Sequence, residues 1–155
     1  MMKRKEVDRV FRLVLAIIIA LMLIGAAVVK ILYPSKLLHD FFFIISIFEI
    51  ALAIAVAVFW DRWGMWALLS LIFAIWAGYS LYAAIFGLPC LCLGVAVTLP
   101  QGTSLMVNFL MAALSWVVLK DMQVSHKTFI KLILLAFVLV GIGFVFSSYL
   151  YYIRF

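Results

Sequence analysis

Charge is confined to a few clusters along the chain, and the apolar runs between the clusters have recurring lengths. The first uncharged run, Leu13 to Val29, is bounded by Arg12 and Lys30. A hydrocarbon core about 30 Å thick is crossed by roughly 20 helical residues at about 1.5 Å each. This run reaches that length once Ile31 and Leu32 are added and the Lys30 stem lies along the apolar surface. A second run fills the interval between Asp40 and Asp61, with Glu49 as its one internal charge. From Gly64 to Leu119 no charge occurs at all, a stretch too long for one crossing. Pro89 and the cluster Pro100-Gln101-Gly102-Thr103-Ser104 break it. A last run, Leu132 to Ile153, is again uncharged and of spanning length.

The pattern predicts helices at about 13-32, 41-60, 65-86, 105-119 and 132-153, with Thr103 or Ser104 capping the fourth. Between Pro89 and Pro100 the chain is apolar but too short to cross, so the segment 87-104 that holds it is expected along the interface or as a re-entrant turn. The expected fold is all-α, a polytopic transmembrane helix bundle in one membrane domain spanning 1-155.

Composition agrees: 70% of the residues are apolar and 12% charged, against about 45 to 50% and about 25% in soluble domains. With 3 Pro, 8 Gly and 2 Cys, the chain is not disordered, collagen-like or a disulfide-stapled miniprotein. Lys3-Arg4-Lys5 before an apolar run and the small residues Gly25-Ala26-Ala27 raise the question of a signal peptide. The run is longer than a signal-peptide h-region, and an uncleaved signal anchor is the expectation.

Lys and Arg set orientation. With the N-terminus cytoplasmic, Lys3, Arg4, Lys5, Arg9, Arg12, Arg62, Lys120, Lys127 and Lys131 lie inside, and Lys30, Lys36 and Arg154 outside. Trp60, Trp63, Trp66 and Trp116 then fall near the inner boundary, and Tyr33, Tyr149, Tyr151 and Tyr152 near the outer one. The net charge of +6 is thus a topology signal and calls for no nucleic acid. A basic N-terminus there also attracts anionic lipid, with little specificity. The expected location is a bacterial inner membrane, with the C-terminus and both cysteines outside the cytoplasm.

Cys90 and Cys92 are separated by one residue. A bridge closing so short a loop removes almost no freedom from the unfolded chain, so it is a poor structural staple. Its geometry demands a bent backbone, which Pro89 and Gly94 are suited to supply as turn residues. A strained, exposed bridge belongs with labile or catalytic disulfides, and the compartment is oxidising. The pair therefore reads as a thiol–disulfide exchange centre, beside the plainer readings of two inert thiols or two lipid-modified cysteines. Metal binding is disfavoured, because two thiolates with His39 as the one histidine on that side fall short of a closed zinc site, and no metal is expected.

Glu49 lies about 12 Å along its helix, near the bilayer midplane, where an ionisable side chain is a functional candidate by default. Lys30 is the nearest cation in depth, if it bends inward; the alternative is that it snorkels outward. The plainer reading of Glu49 is a hydrogen bond to Asn108 or a serine that glues the helices. Ser70, Tyr79, Ser80, Asn108, Gly141 and Gly143 read as packing groups.

In order, the chain shows Gly25-Ala-Ala-Val-Val-Lys30-Ile-Leu-Tyr-Pro34, Phe48-Glu49-Ile-Ala-Leu, and Pro89-Cys90-Leu-Cys92-Leu-Gly94. Over about Leu15 to Leu119 this resembles the MauE/DoxX-like redox-associated membrane proteins. The resemblance implies a four-helix membrane core, thiol–disulfide chemistry outside the cytoplasm, and roles for Lys30, Glu49, Cys90, Cys92 and Gly94. Leu91 and Leu93 depart from the family's usual small or proline and aromatic residues, and the fifth helix lies outside its core. DoxX-type members are linked to quinone-coupled oxidation, so a quinone is a candidate cofactor here.

The leading expectation is a membrane thiol–disulfide oxidoreductase or relay component acting on an extracytoplasmic protein through Cys90 and Cys92. Glu49 and Lys30 would handle a proton. The alternatives are a non-catalytic assembly factor or scaffold for a redox protein, and a small transporter subunit coupled through Glu49.

Overall fold

The structure, a computed structural model, describes residues 2–33, 39–88 and 102–154. These residues contain five helices and no strand: α1 (Met2–Leu32), α2 (His39–Phe59), α3 (Trp63–Ile85), α4 (Thr103–Asp121) and α5 (His126–Arg154). All five are long and apolar enough to cross a bilayer. The fold is all-α, with the architecture of a multi-pass membrane protein.

Helix ends differ from the hydropathy boundaries where charge and helix propensity part company. The first helix starts at Met2, not Leu13, because Lys, Arg and Glu are good helix formers; the loss of apolarity marks where hydrocarbon ends, and the helix continues. The fifth starts at His126, not Leu132, for the same reason. The N-cap of α4 is Gly102 at φ 87°, with no side-chain cap bond, so neither Thr103 nor Ser104 caps it. Both are within the helix, and Ser104 is buried, its side chain committed to a packed face. At the other end of this connection, Gly87 at φ 66° ends α3, and the Leu88 N–H donates to Ala83 O at 2.8 Å. This is the glycine-terminated helix stop, in which a left-handed residue turns the next N–H back onto the last turn. The predicted interfacial segment is outside the described residues from 89 to 101.

The chain divides into two compact units, one ending at Met65 and containing α1 and α2, the other beginning at Trp66 and containing α3, α4 and α5. In each, a series of buried residues recurs three and four positions apart. On α2 they are Phe42, Ser46, Glu49, Ala53 and Val56; on α3, Trp66, Ser70, Phe73, Ala77 and Ser80; on α4, Ser104, Asn108, Met111, Ser115 and Val118. Alternation of three and four is the spacing of helices packed knobs into holes. Each seam here sets serine, alanine or another small or polar residue among larger ones such as Phe42, Trp66, Phe73 and Met111. The small and polar positions are those that link helices where lipid is as apolar as leucine. Trp66, counted among the boundary aromatics, is fully buried on the α3 seam.

The serines keep their hydroxyls at home. Ser46 donates to Phe42 O at 2.8 Å, Ser70 to Ala67 O at 2.7 Å, and Ser115 to Met111 O at 2.9 Å. Each offers its neighbour a small side chain with no orphaned polar atom. Asn108 instead crosses between helices, its Nδ2 donating to Ser80 Oγ at 2.9 Å and Trp76 O at 3.3 Å.

The crossing of α3 and α5 is closer still. A Cβ on Gly78 would collide with Val140 O, and one on Gly143 with Ile75 O; Ser147 Oγ lies 3.5 Å from Tyr79 O just beyond. Backbone thus meets backbone at two reciprocal points. Gly141, two positions away, faces open space, and only 6% of the apolar window of α5 is buried. Gly143→Ala is expected to destabilise the protein by about 1–3 kcal/mol through overpacking, whereas Gly141→Ala leaves stability unchanged or raises it slightly; thermal unfolding of the two variants in detergent distinguishes them.

Candidate functional site: a buried ion pair between the first two helices

Lys30 and Glu49 stand on different helices, and the α1–α2 packing brings them together. Lys30 continues the buried stripe of Ile19, Leu23 and Ala27 on α1, and Glu49 stands between Ser46 and Ala53 on the α2 seam. Lys30 Nζ donates to Glu49 Oε1 at 2.5 Å. The residues are 4% and 3% exposed, so water does not screen the pair.

Lys30 therefore does not snorkel. An outward path would leave Glu49 as a lone carboxylate inside a transmembrane helix, where isolated charge is costly, and the inward turn gives each charge its counterion. The hydrogen-bonded glue expected from Asn108 or a serine is not what Glu49 uses: Asn108 is committed to Ser80 and Trp76.

The pairing is incomplete. Glu49 Oε2 is shielded from solvent and has no hydrogen-bond partner among the described residues. One oxygen is thus held by the ammonium and the other is open, so the carboxylate can accept a proton at Oε2 without letting go of Lys30, and the ammonium can donate along the existing bond. That is the geometry of a two-member proton-exchange site.

Cys90, Cys92, Pro89 and Gly94 lie outside the described residues. His39 is the first residue of α2. Among the described residues, no three His, Cys, Asp or Glu side chains gather in a metal-binding group.

Hydropathy and charge do not single out several of the seam residues: Ser46, Ser104, Ser115 and Ser147 are all buried. Their spacing is the available signal, since Ser104, Asn108 and Ser115 fall on one helix face, separated by four and then seven positions. Nor do they single out Arg9, whose guanidinium carbon lies 5.7 Å from the centroid of the Trp60 ring. Of the tyrosines assigned to an outer belt, Tyr149 and Tyr152 are exposed, but Tyr151 is buried and its ring lies near-parallel to those of Tyr82 and Tyr79, at centroid distances of 5.8 Å and 6.3 Å.

Removing one partner strands the other's charge, so Lys30→Met and Glu49→Leu are each expected to cost about 3–5 kcal/mol. The double variant recovers most of that loss, because an apolar pair of similar volume is close to neutral. Reversible unfolding in micelles of the two single variants and the double variant measures this coupling.

Compared with known proteins, the chain matches no family model, no curated protein and no solved structure.

Proposed function

We propose that this protein is a membrane thiol–disulfide exchange component, resembling the MauE/DoxX-like proteins, in which Cys90 and Cys92 react with an extracytoplasmic protein partner and the Lys30–Glu49 pair handles protons. In the exchange, a thiolate on one side attacks a disulfide sulfur on the other, an S–S bond breaks as a mixed S–S bond forms, and the second thiol resolves it. Two electrons pass between chains, the attacking thiols lose their protons and the departing thiolates gain them. The membrane is a bacterial inner membrane, the N-terminus is cytoplasmic, and the cysteines and C-terminus are extracytoplasmic.

The observation that supports a chemical role beyond anchoring is the open Glu49 Oε2 beside a bonded Lys30, buried inside a pair of transmembrane helices. A purely structural pair gains from satisfying both carboxylate oxygens. Lys30 and Glu49 also have the chemistry to exchange protons with a bilayer quinone, and the fit extends no further than that.

The same open oxygen favours a second reading, a proton-coupled transporter subunit with incidental cysteines. Replacing both cysteines with serine and, separately, Glu49 with glutamine separates the readings in a complementation assay. Loss with the cysteine variant is expected for exchange; loss only with Glu49→Gln indicates transport, and full activity of both indicates a scaffold. Impermeant maleimide applied to intact cells is expected to label the cysteines only after reduction. Labelling that requires lysis overturns the orientation, and labelling without reductant, with no mixed disulfide trapped by a single-cysteine variant, overturns the exchange reading.

A further inference from the structure

The end of the α1–α2 unit remote from the ion pair carries arginines that make no salt bridge among the described residues. α1 runs from Met2 to Leu32, about 46 Å at the helical rise, whereas about 30 Å suffices for the hydrocarbon core. Its polar first turns therefore reach into the headgroup layer. Lys3, Arg4, Lys5, Arg9 and Arg12 stand there against Glu6 and Asp8. Arg9 and Arg12, three apart, share a helix face.

The packing fixes part of this surface. Arg9 lies over the Trp60 ring, which joins the start of α1 to the end of α2. The turn that follows, closed by the Arg62 N–H donating to Phe59 O at 2.9 Å, supplies Arg62. Arg12 is half-buried, and its Nε is shielded from water without a hydrogen-bond partner among the described residues. The one salt bridge among the described residues is Lys30–Glu49, so Glu6, Asp8 and Asp61 make no direct ion pair with these guanidinium groups.

We infer that Arg9 and Arg12, with Trp60 positioning Arg9, form a binding site for the phosphodiester of an anionic phospholipid in the adjacent leaflet. The ligand chemistry follows from three features: guanidinium forks that match phosphate oxygens, an indole at headgroup depth, and a helix end placed where lipid phosphates are concentrated. Arg9 is exposed, with its guanidinium carbon 5.7 Å from the centroid of the Trp60 ring. This differs from general attraction to a basic terminus in being local to two residues on one helix face.

The test is lipid retention by the full-length protein in detergent, read by native mass spectrometry during titration with phosphatidylglycerol, phosphatidylcholine or inorganic phosphate. One phosphatidylglycerol is expected to be held in preference to phosphatidylcholine. Arg9→Gln with Arg12→Gln weakens it roughly thirtyfold, at about one surface charge's attraction per residue. Lys127→Gln with Lys131→Gln, which removes two exposed lysines elsewhere, changes it less than about threefold on the same scale. Equal weakening by both double variants, or none by the arginine variant, overturns the site; displacement by inorganic phosphate overturns the lipid assignment. Arg9→Gln alone, roughly fivefold weaker, serves if circular dichroism shows that the double variant has lost its helices.

Discussion

Hydrocarbon offers no solvent to a stranded charge, and the α1–α2 unit is arranged around that constraint. Lys30 and Glu49 each occupy a position that would be intolerable alone. Because the ammonium donates to the carboxylate, the first two helices are held in one register, and the lysine must point inward. The small residues around the pair, Ala27, Ser46 and Ala53, are suited to the close helix approach that brings the two charged groups together. The one concession is the open Oε2, and a buried acceptor left without a donor is where proton chemistry has something to act on.

The second unit meets the same constraint without charge. Ser70 and Ser115 return their hydroxyls to their own helices, Asn108 crosses to α3, and Gly78 and Gly143 let two backbones touch. Where apolar surface gives helices no reason to prefer one another over lipid, close packing and a few hydrogen bonds decide the pairing. Such seams have no apolar stripe: α3 and α4 are apolar on nearly every face, and the difference lies in side-chain size.

Charge is thus used in two ways. In the interior it appears as one neutral pair, which ties α1 to α2 and is proposed to handle protons. At the start of α1 it appears as Arg9 and Arg12, for which a lipid phosphate is the proposed counterion. The cysteines proposed to carry the redox chemistry belong to neither place; they stand in the apolar connection between α3 and α4, where the sequence alone speaks for them.

The sequence by itself determined the all-α class and the five helices long and apolar enough to cross a bilayer, because hydropathy and charge are additive along a chain and a bilayer reads them by length. It singled out Lys30 and Glu49 one at a time. Their meeting was beyond it, since snorkelling and inward pairing cost the same in a one-dimensional reading and differ only when a second helix supplies the counterion. The same holds for Gly143 against Gly141: both are glycines in an apolar run, and only the passage of α3 beside one of them makes a methyl group impossible there. Helix starts at Met2 and His126 escape a hydropathy reading because hydropathy measures the edge of the hydrocarbon, while the backbone hydrogen bonds that define a helix continue past it. Tertiary structure decided which polar groups found partners, and so left Oε2 open.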